Sequence, residues 1–228
     1  MIYLEQTETT TGKSLIIRQE QPADWSEVEL MTRAAFWNLY APGCVEHYLA
    51  HQLRQHADFI ASLDLVVTLA DQIVGNIMYT RAKLVDDQGH VKPILTFGPL
   101  SVRPGYQRKG YGKRLITTSF QIAQSLGFDT VVIFGMPANY VARGFRCCAD
   151  CHVSLPGNQY PAAMLVKTLV PNALAGRHWI YQESSAMDVS QADVDRFDRT
   201  LPPLVKGWQP SQEEFNIISR AMIQPPTR

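Results

Sequence analysis

The stretch Leu100–Arg114, LSVRPGYQRKGYGKR, carries residue types suited to holding a phosphate. Gln107, Gly110 and Gly112 are spaced Q-x-x-G-x-G. Bare glycines where a helix begins let backbone N–H groups approach a ligand closely, and the positive end of the helix dipole favours an anion. Arg103, Arg108, Lys109, Lys113 and Arg114 surround the turn, with no acidic residue among them. We read it as a pyrophosphate cradle; the alternative is a solvated turn of glycines beside lysines. Two other nucleotide motifs fit less well. A dinucleotide fingerprint wants a third glycine where Leu115 stands, and a Walker A loop wants Ser or Thr where Arg114 follows Gly112-Lys113.

Two further clusters could do chemistry. Cys148-Ala149-Asp150-Cys151-His152 has the C-x-x-C-H form of a haem attachment site, but it falls on an expected strand in a chain whose start reads as no export signal. His47 and His51 are four apart on one helical face. Zinc needs four convergent ligands, and the histidine and cysteine pairs lie far apart in sequence, so no metal is expected. The thiols are read as structural.

The elements that must position these residues follow from periodicity. Ser14–Arg18 is a strand. A helix opens at Pro22 and Asp24 and runs to about Phe36, with Trp25, Val28, Met31 and Ala35 on one face. The loop Asn38–Gly43, NLYAPG, leads to a second helix striped by Val45, Leu49 and Leu53. Leu63–Leu69 and Ile73–Tyr79 form a hairpin, and Asp86–Gly89 is a second reverse turn. Ile94–Val102 is a strand in which Pro99 marks a bulge or an edge, because proline lacks an N–H donor. From Lys113 the positions Leu115, Ser119, Ile122 and Leu126 have helical spacing, closed by Gly127. Thr130–Phe134 is a strand covered on both faces, Asn139–Arg143 a short helix, and Phe145–Val153 and Ala163–Leu169 are strands. The order predicts a mixed α/β sheet with a crossover at the glycine turn. Residues 1–171 are read as one domain. Residues 172–228 contain Pro202-Pro203, Pro225-Pro226 and two helix-start boxes at Ser190 and Ser211, and read as an extension packing on the domain, as a lid, or on a dimer partner.

Composition bounds the partners. Hydrophobic residues make up 46% and charged residues 18% of 228, which are globular values. The 21 basic and 21 acidic residues cancel, so a nucleic-acid backbone is not the expected ligand. The start of the chain lacks a basic then apolar stretch, and no apolar run is long enough to span a bilayer. A cytoplasmic protein with no membrane partner is expected.

The order of elements together with Q-x-x-G-x-G resembles the GNAT superfamily of acyl-CoA-dependent acyltransferases. A second stretch, Gly135-Met136-Pro137-Ala138-Asn139-Tyr140-Val141-Ala142-Arg143-Gly144-Phe145, is similar to the family's second signature, in which a tyrosine stands four residues before a Gly-Phe pair. The resemblance covers roughly residues 14–170 and is strongest to the YhbS-like branch. It implies a sheet with splayed central strands, acetyl-CoA as co-substrate, and an amine of a small molecule or a protein as acceptor. It implies that Leu100, Ser101 and Val102 pair with the pantetheine arm. The backbone of Gln107, Arg108, Lys109, Gly110, Tyr111, Gly112 and Lys113 then holds the pyrophosphate, and Asn139 and Tyr140 flank the cofactor. Tyr140 matches the tyrosine that faces the thioester sulfur.

Acetyl transfer from a thioester needs an uncharged amine, a donor for the developing oxyanion and a proton for the departing thiolate. A backbone N–H near Leu100 suits the oxyanion. A phenol suits the thiolate, with packing on the cofactor or in the core the alternative for Tyr140. Many relatives place a glutamate on the fourth strand, but Leu95–Leu100, LTFGPL, has no carboxylate. Deprotonation then falls to water or to a group elsewhere. Because the resemblance implies that the second helix borders the acceptor site, Glu46 and His47 are candidates for binding or proton transfer, with ordinary surface polar residues the alternative. The competing reading is an acyl-CoA-binding module without catalysis; an interaction protein built on the tail is a third. A homodimer through Phe215, Ile217 and Ile218 is consistent with the family.

Overall fold

The computed structural model describes residues 1–7 and 12–224; Pro225-Pro226 lies outside them. Two helices separate the first two strands from the rest. In order the elements are β1 (Ile2–Thr7), β2 (Ser14–Gln19), α1 (Trp25–Phe36), α2 (Glu46–Leu53), β3 (Leu65–Leu69), β4 (Gln72–Asp86), β5 (Val91–Val102) and α3 (Tyr111–Ser125). There follow β6 (Thr130–Phe134), α4 (Pro137–Tyr140), β7 (Arg146–Cys147), β8 (Val153–Ser154), β9 (Met164–Thr168), β10 (Trp179–Gln182), α5 (Gln191–Asp198) and α6 (Pro210–Arg220).

Among the described residues the strands form one mixed sheet in the order β1-β2-β3-β4-β5-β6-β9-β7, with β10 bridging β4 and β8. The spine is β4. Ala70 and Asp71, both at positive φ, turn β3 into it as a two-residue hairpin, and it then pairs with β5 along its length. Val66 and Val67 show how the sheet buries both faces. Val66 packs with Ile73 against Val28 and Met31 of α1, while Val67 packs against Leu115 and Ile116 of α3. Helix α3 ends at Gly127, at φ +86°, where the Phe128 N–H reaches the Ala123 carbonyl.

Where β5 passes Gly98-Pro99, a cis peptide, the register slips. Ile77 faces Leu100 while Tyr79 faces Phe97, so the expected bulge is present. On its other edge β5 meets β6 only at Leu95 and Val131. Beyond that pair the two strands diverge and leave a wedge between them.

Several expectations are corrected. Residues 2–7 form a strand that the pattern did not suggest. Phe145–Val153 is not one strand: two residues pair with β9, Ala149–Cys151 make a turn of 3-10 helix, and β8 leaves toward β10. Positive φ at Gly144 and His152 breaks the run at both ends. Leu126 is not in the α3 stripe; it follows the helix and is 46% exposed. Trp25 is also partly exposed, its ring covered by Arg54 at 5.3 Å.

Residues after 172 hold on to the rest at many points. β10 extends the sheet along Lys83–Asp86. Asp198 of α5 pairs with buried Arg33 at 3.0 Å and accepts from His47 at 3.1 Å. The Gln212 side chain donates to the Asn38 and Gly207 carbonyls, and Ala162 donates to the Ala221 carbonyl. Helix α6 is thereby strapped from the α1–α2 loop to the loop before β9.

Candidate active site

The wedge between β5 and β6 opens into a cavity of about 480 Å³. One wall is β5. Arg103 donates to the Val74 carbonyl, so by alternation Ser101 pairs with Asn76 across the ladder while Leu100 and Val102 turn their N–H and C=O groups to the open edge. The Ser101 side chain points to α1, where its hydroxyl meets Thr32 at 3.0 Å. The Val102 carbonyl receives the Gln107 side-chain amide at 3.1 Å, which folds the glycine turn back on the strand.

The floor at one end is that turn. Gly110 sits at φ +92°, a conformation that L side chains rarely adopt, and it caps α3. The first bond into the helix is Arg114 N–H to Gly110 C=O. Among the described residues no carbonyl accepts from the N–H of Gly110, Gly112 or Lys113, so these amides face the cavity with their capacity intact. Arg108 and Lys113 line the same end. A diphosphate fits this cradle by charge, by dipole and by spare donors.

Tyr140 stands at the other end of the wedge. Pro137 starts α4, and the Tyr140 ring packs between Phe97 (5.8 Å) and Phe145 (5.6 Å). A Cβ on Gly135 would sit 2.6 Å from the Tyr140 ring, so only glycine leaves the ring its place. Burial, with the Tyr40 hydroxyl nearby as a lesser cause, pushes the Tyr140 phenol above its ordinary value and keeps it protonated.

Across the cavity from the cradle lie Phe36, Tyr40, Glu46 and Phe215. Burial raises the Glu46 carboxyl above its ordinary range, opposed by the Val45 N–H that donates to it at 3.0 Å. Glu46 is the one acidic residue among the cavity's described lining, while Arg108, Lys113 and Arg143 are basic. The cavity is therefore cationic at the glycine turn and carries one carboxyl in its described lining.

Of the residues singled out from sequence, the structure brings together around this cavity Leu100, Ser101, Val102, Gln107, Arg108, Gly110, Tyr111, Gly112, Lys113, Asn139, Tyr140 and Glu46. Lys109 and His47 are not in the lining. The Lys109 ammonium turns back to the Gly105 carbonyl at 2.8 Å and over the Tyr106 ring. His47 is fully buried between Cys44 and Asp198, since α5 covers the face of α2 that the sequence leaves open. Tyr40 and Phe215 escaped sequence reasoning as site residues. An aromatic within the short loop NLYAPG was the available signal for Tyr40; nothing local marks Phe215.

Residues 31–146 match the model of the acetyltransferase (GNAT) family. The chain belongs to that family. This GNAT chain is 32% identical over 106 residues to the Escherichia coli (strain K12) protein named "Uncharacterized N-acetyltransferase YjhQ". The match takes in 42% of the chain and spans 58% of that relative's length. In fold it is similar to the E. coli GNAT family N-acetyltransferase YhbS solved in complex with CoA, with TM-score 0.64, 24% identity, and 75% of this chain and 91% of that one covered. It is also similar to a GNAT family acetyltransferase from Brucella melitensis solved with acetyl-CoA, with TM-score 0.59, 22% identity, and coverage of 76% and 98%. Both comparisons show likeness of fold.

Proposed function

We propose that this GNAT chain is an N-acetyltransferase that uses acetyl-CoA and acetylates a primary amine. One observation carries the reading: the Tyr140 phenol and the Glu46 carboxyl face a single cavity that also takes in the amide donors of Gly110, Gly112 and Lys113. That CoA and acetyl-CoA are bound by two proteins of the same fold supports it.

Acetyl-CoA, when bound, supplies an acetyl thioester activated toward amines. The chain's own residues do the rest. The amides of Gly110, Gly112 and Lys113, with Arg108, hold the diphosphate. The Leu100 C=O and the Val102 N–H, both on the open edge, face the pantetheine arm. The Leu100 N–H, aimed into the wedge just past the bulge, is the donor for the oxygen on which charge develops. Glu46 takes a proton from the incoming ammonium, and its raised pKa makes it a stronger base than an exposed carboxylate. Tyr140 gives a proton to the departing thiolate, and the second proton shed by the acylated nitrogen restores the phenol; a phenol raised by burial is not ionised beforehand. His47, buried beside Asp198, has no part in these steps.

The catalytic unit is taken as residues 1–171, with 172–228 an extension that packs on it. A cytoplasmic location suits the four free cysteines, Cys44, Cys147, Cys148 and Cys151. No helix among the described residues is long and apolar enough to cross a membrane. A homodimer, if formed through α6, would use Ile217, which is 63% exposed, rather than Phe215.

The test is CoA release from acetyl-CoA across amino acids, polyamines, arylalkylamines, aminoglycosides and peptides. At least one amine should accelerate release above the blank. Acetyl-CoA binding with no amine-dependent release would instead support a binding module without catalysis.

A further inference from the structure

A second cavity, about 220 Å³, lies beside the first. The two share Phe36, Tyr40, Glu46 and Phe215, so Glu46 lines both. We propose that this second cavity is the acceptor subsite, walled by the C-terminal extension, and that it takes a primary monoamine carried on a flat apolar body. The proposal rests on the acetyl-transfer reading above.

Three rings set the shape. Phe36 and Tyr40 lie 5.9 Å apart, and Phe215 of α6 tilts onto Tyr40 at 4.6 Å. Ring faces bury a flat apolar body and attract a cationic amine. Glu46 is the single carboxylate lining either cavity among the described residues, enough for one ammonium. Lys206, also in the lining, lays its stem over Gly43 and pairs its ammonium with Asp195 at 3.5 Å. A second ammonium would meet that cation with its carboxylate already engaged and no further carboxylate in the lining, so a polyamine is disfavoured.

The wall belongs to this chain rather than to the family match. Gln191, Lys206 and Phe215 all lie beyond residues 31–146. Buried Gln212, bonded to the Asn38 and Gly207 carbonyls, fixes α6 so that Phe215 faces inward. The extension thus sets which amine reaches Glu46, while the cradle and Tyr140 hold the donor.

The experiment compares 2-phenylethylamine with spermidine as acceptors for the full chain. The kcat/KM for 2-phenylethylamine should be higher by about tenfold or more, the equivalent of one well-placed contact. Phe215→Ala should raise the KM for 2-phenylethylamine about tenfold while the acetyl-CoA Kd stays within about twofold, and Phe215→Leu should recover part of the loss. Preference for spermidine or a peptide, or an unchanged KM in a folded Phe215→Ala protein, would overturn the proposal. Should Phe215→Ala fail to fold, the wild-type preference decides. If acetyl-CoA binds but no amine is acetylated, the transfer reading has failed, and the subsite is judged separately by calorimetry of 2-phenylethylamine with CoA present. Binding that Phe215→Leu weakens would uphold the subsite, and absence of binding would end it.

Discussion

Burial of the Glu46 carboxyl strengthens it as a base and costs the fold stability when it ionises. Desolvation favours its protonated form, so its folded pKa lies above the unfolded one. As pH rises from the ordinary carboxylate value through the raised one, ionising Glu46 costs folding stability. Glu46→Gln keeps the acceptor for the Val45 N–H and removes that cost. The variant is expected to melt slightly higher than wild type at neutral pH, with the difference gone below the ordinary glutamate pKa. It should also lose about a hundredfold in kcat/KM, together with the acidic limb of the wild-type pH–rate profile. Thermal melts and pH–rate curves check both halves; a variant with full activity would remove Glu46 as the base. Geometry alone does not make a catalyst, as another group shows. Ser154 meets His178 at 2.9 Å, and His178 meets Asp87 at 2.9 Å, in the order of a hydrolytic triad. Ser154 is wholly buried and borders neither cavity, so this row only ties β8 and the start of β10 to the β4–β5 turn.

At the scale of elements, the glycine turn and the bulged strand must stay in register with each other. Gly110 has open space around it, so a methyl group there meets no neighbour. The penalty for Gly110→Ala is conformational, about 1–2 kcal/mol for a left-handed L-residue, and relaxation of the turn would withdraw amides from the cradle. Acetyl-CoA affinity is expected to fall about tenfold by calorimetry with the acceptor KM little changed. An unaltered Kd would mean that the diphosphate is held elsewhere. These elements were legible in the sequence because their signals are local. Pro99 lacks a donor, glycines are spaced at a helix start, and Tyr140 precedes Gly144-Phe145 by four residues. The run Phe145–Val153 misled because two apolar ends with cysteines between them read as a strand. The backbone at Gly144 and His152, at positive φ, divides it into a short β7, a helical turn and β8. His47 was equally opaque, since a polar helix face looks solvated until a distant segment is known to cover it.

For the whole molecule, the question is how the C-terminal extension is fastened over the site. Its anchor is Asp198, which meets the nearly buried Arg33 guanidinium and the fully buried His47 ring. Arg33 also donates to the Pro202 carbonyl at 2.7 Å and stacks on Trp37. Asp198→Ala would leave a buried cation without its counter-charge, and urea unfolding should register a loss of about 3 kcal/mol. A loss below about 1 kcal/mol would show that the extension is held by its other contacts. No sequence pattern announces this arrangement, because each partner lies far along the chain from the other. The proposed transfer depends on Tyr140 protonating the thiolate that leaves. Its most direct measurement is CoA release at saturating amine by Tyr140→Phe, read beside the acetyl-CoA Kd of the same protein. The expected result is a kcat lower by about tenfold or more with the Kd essentially unchanged. Wild-type turnover by the phenylalanine variant would contradict it.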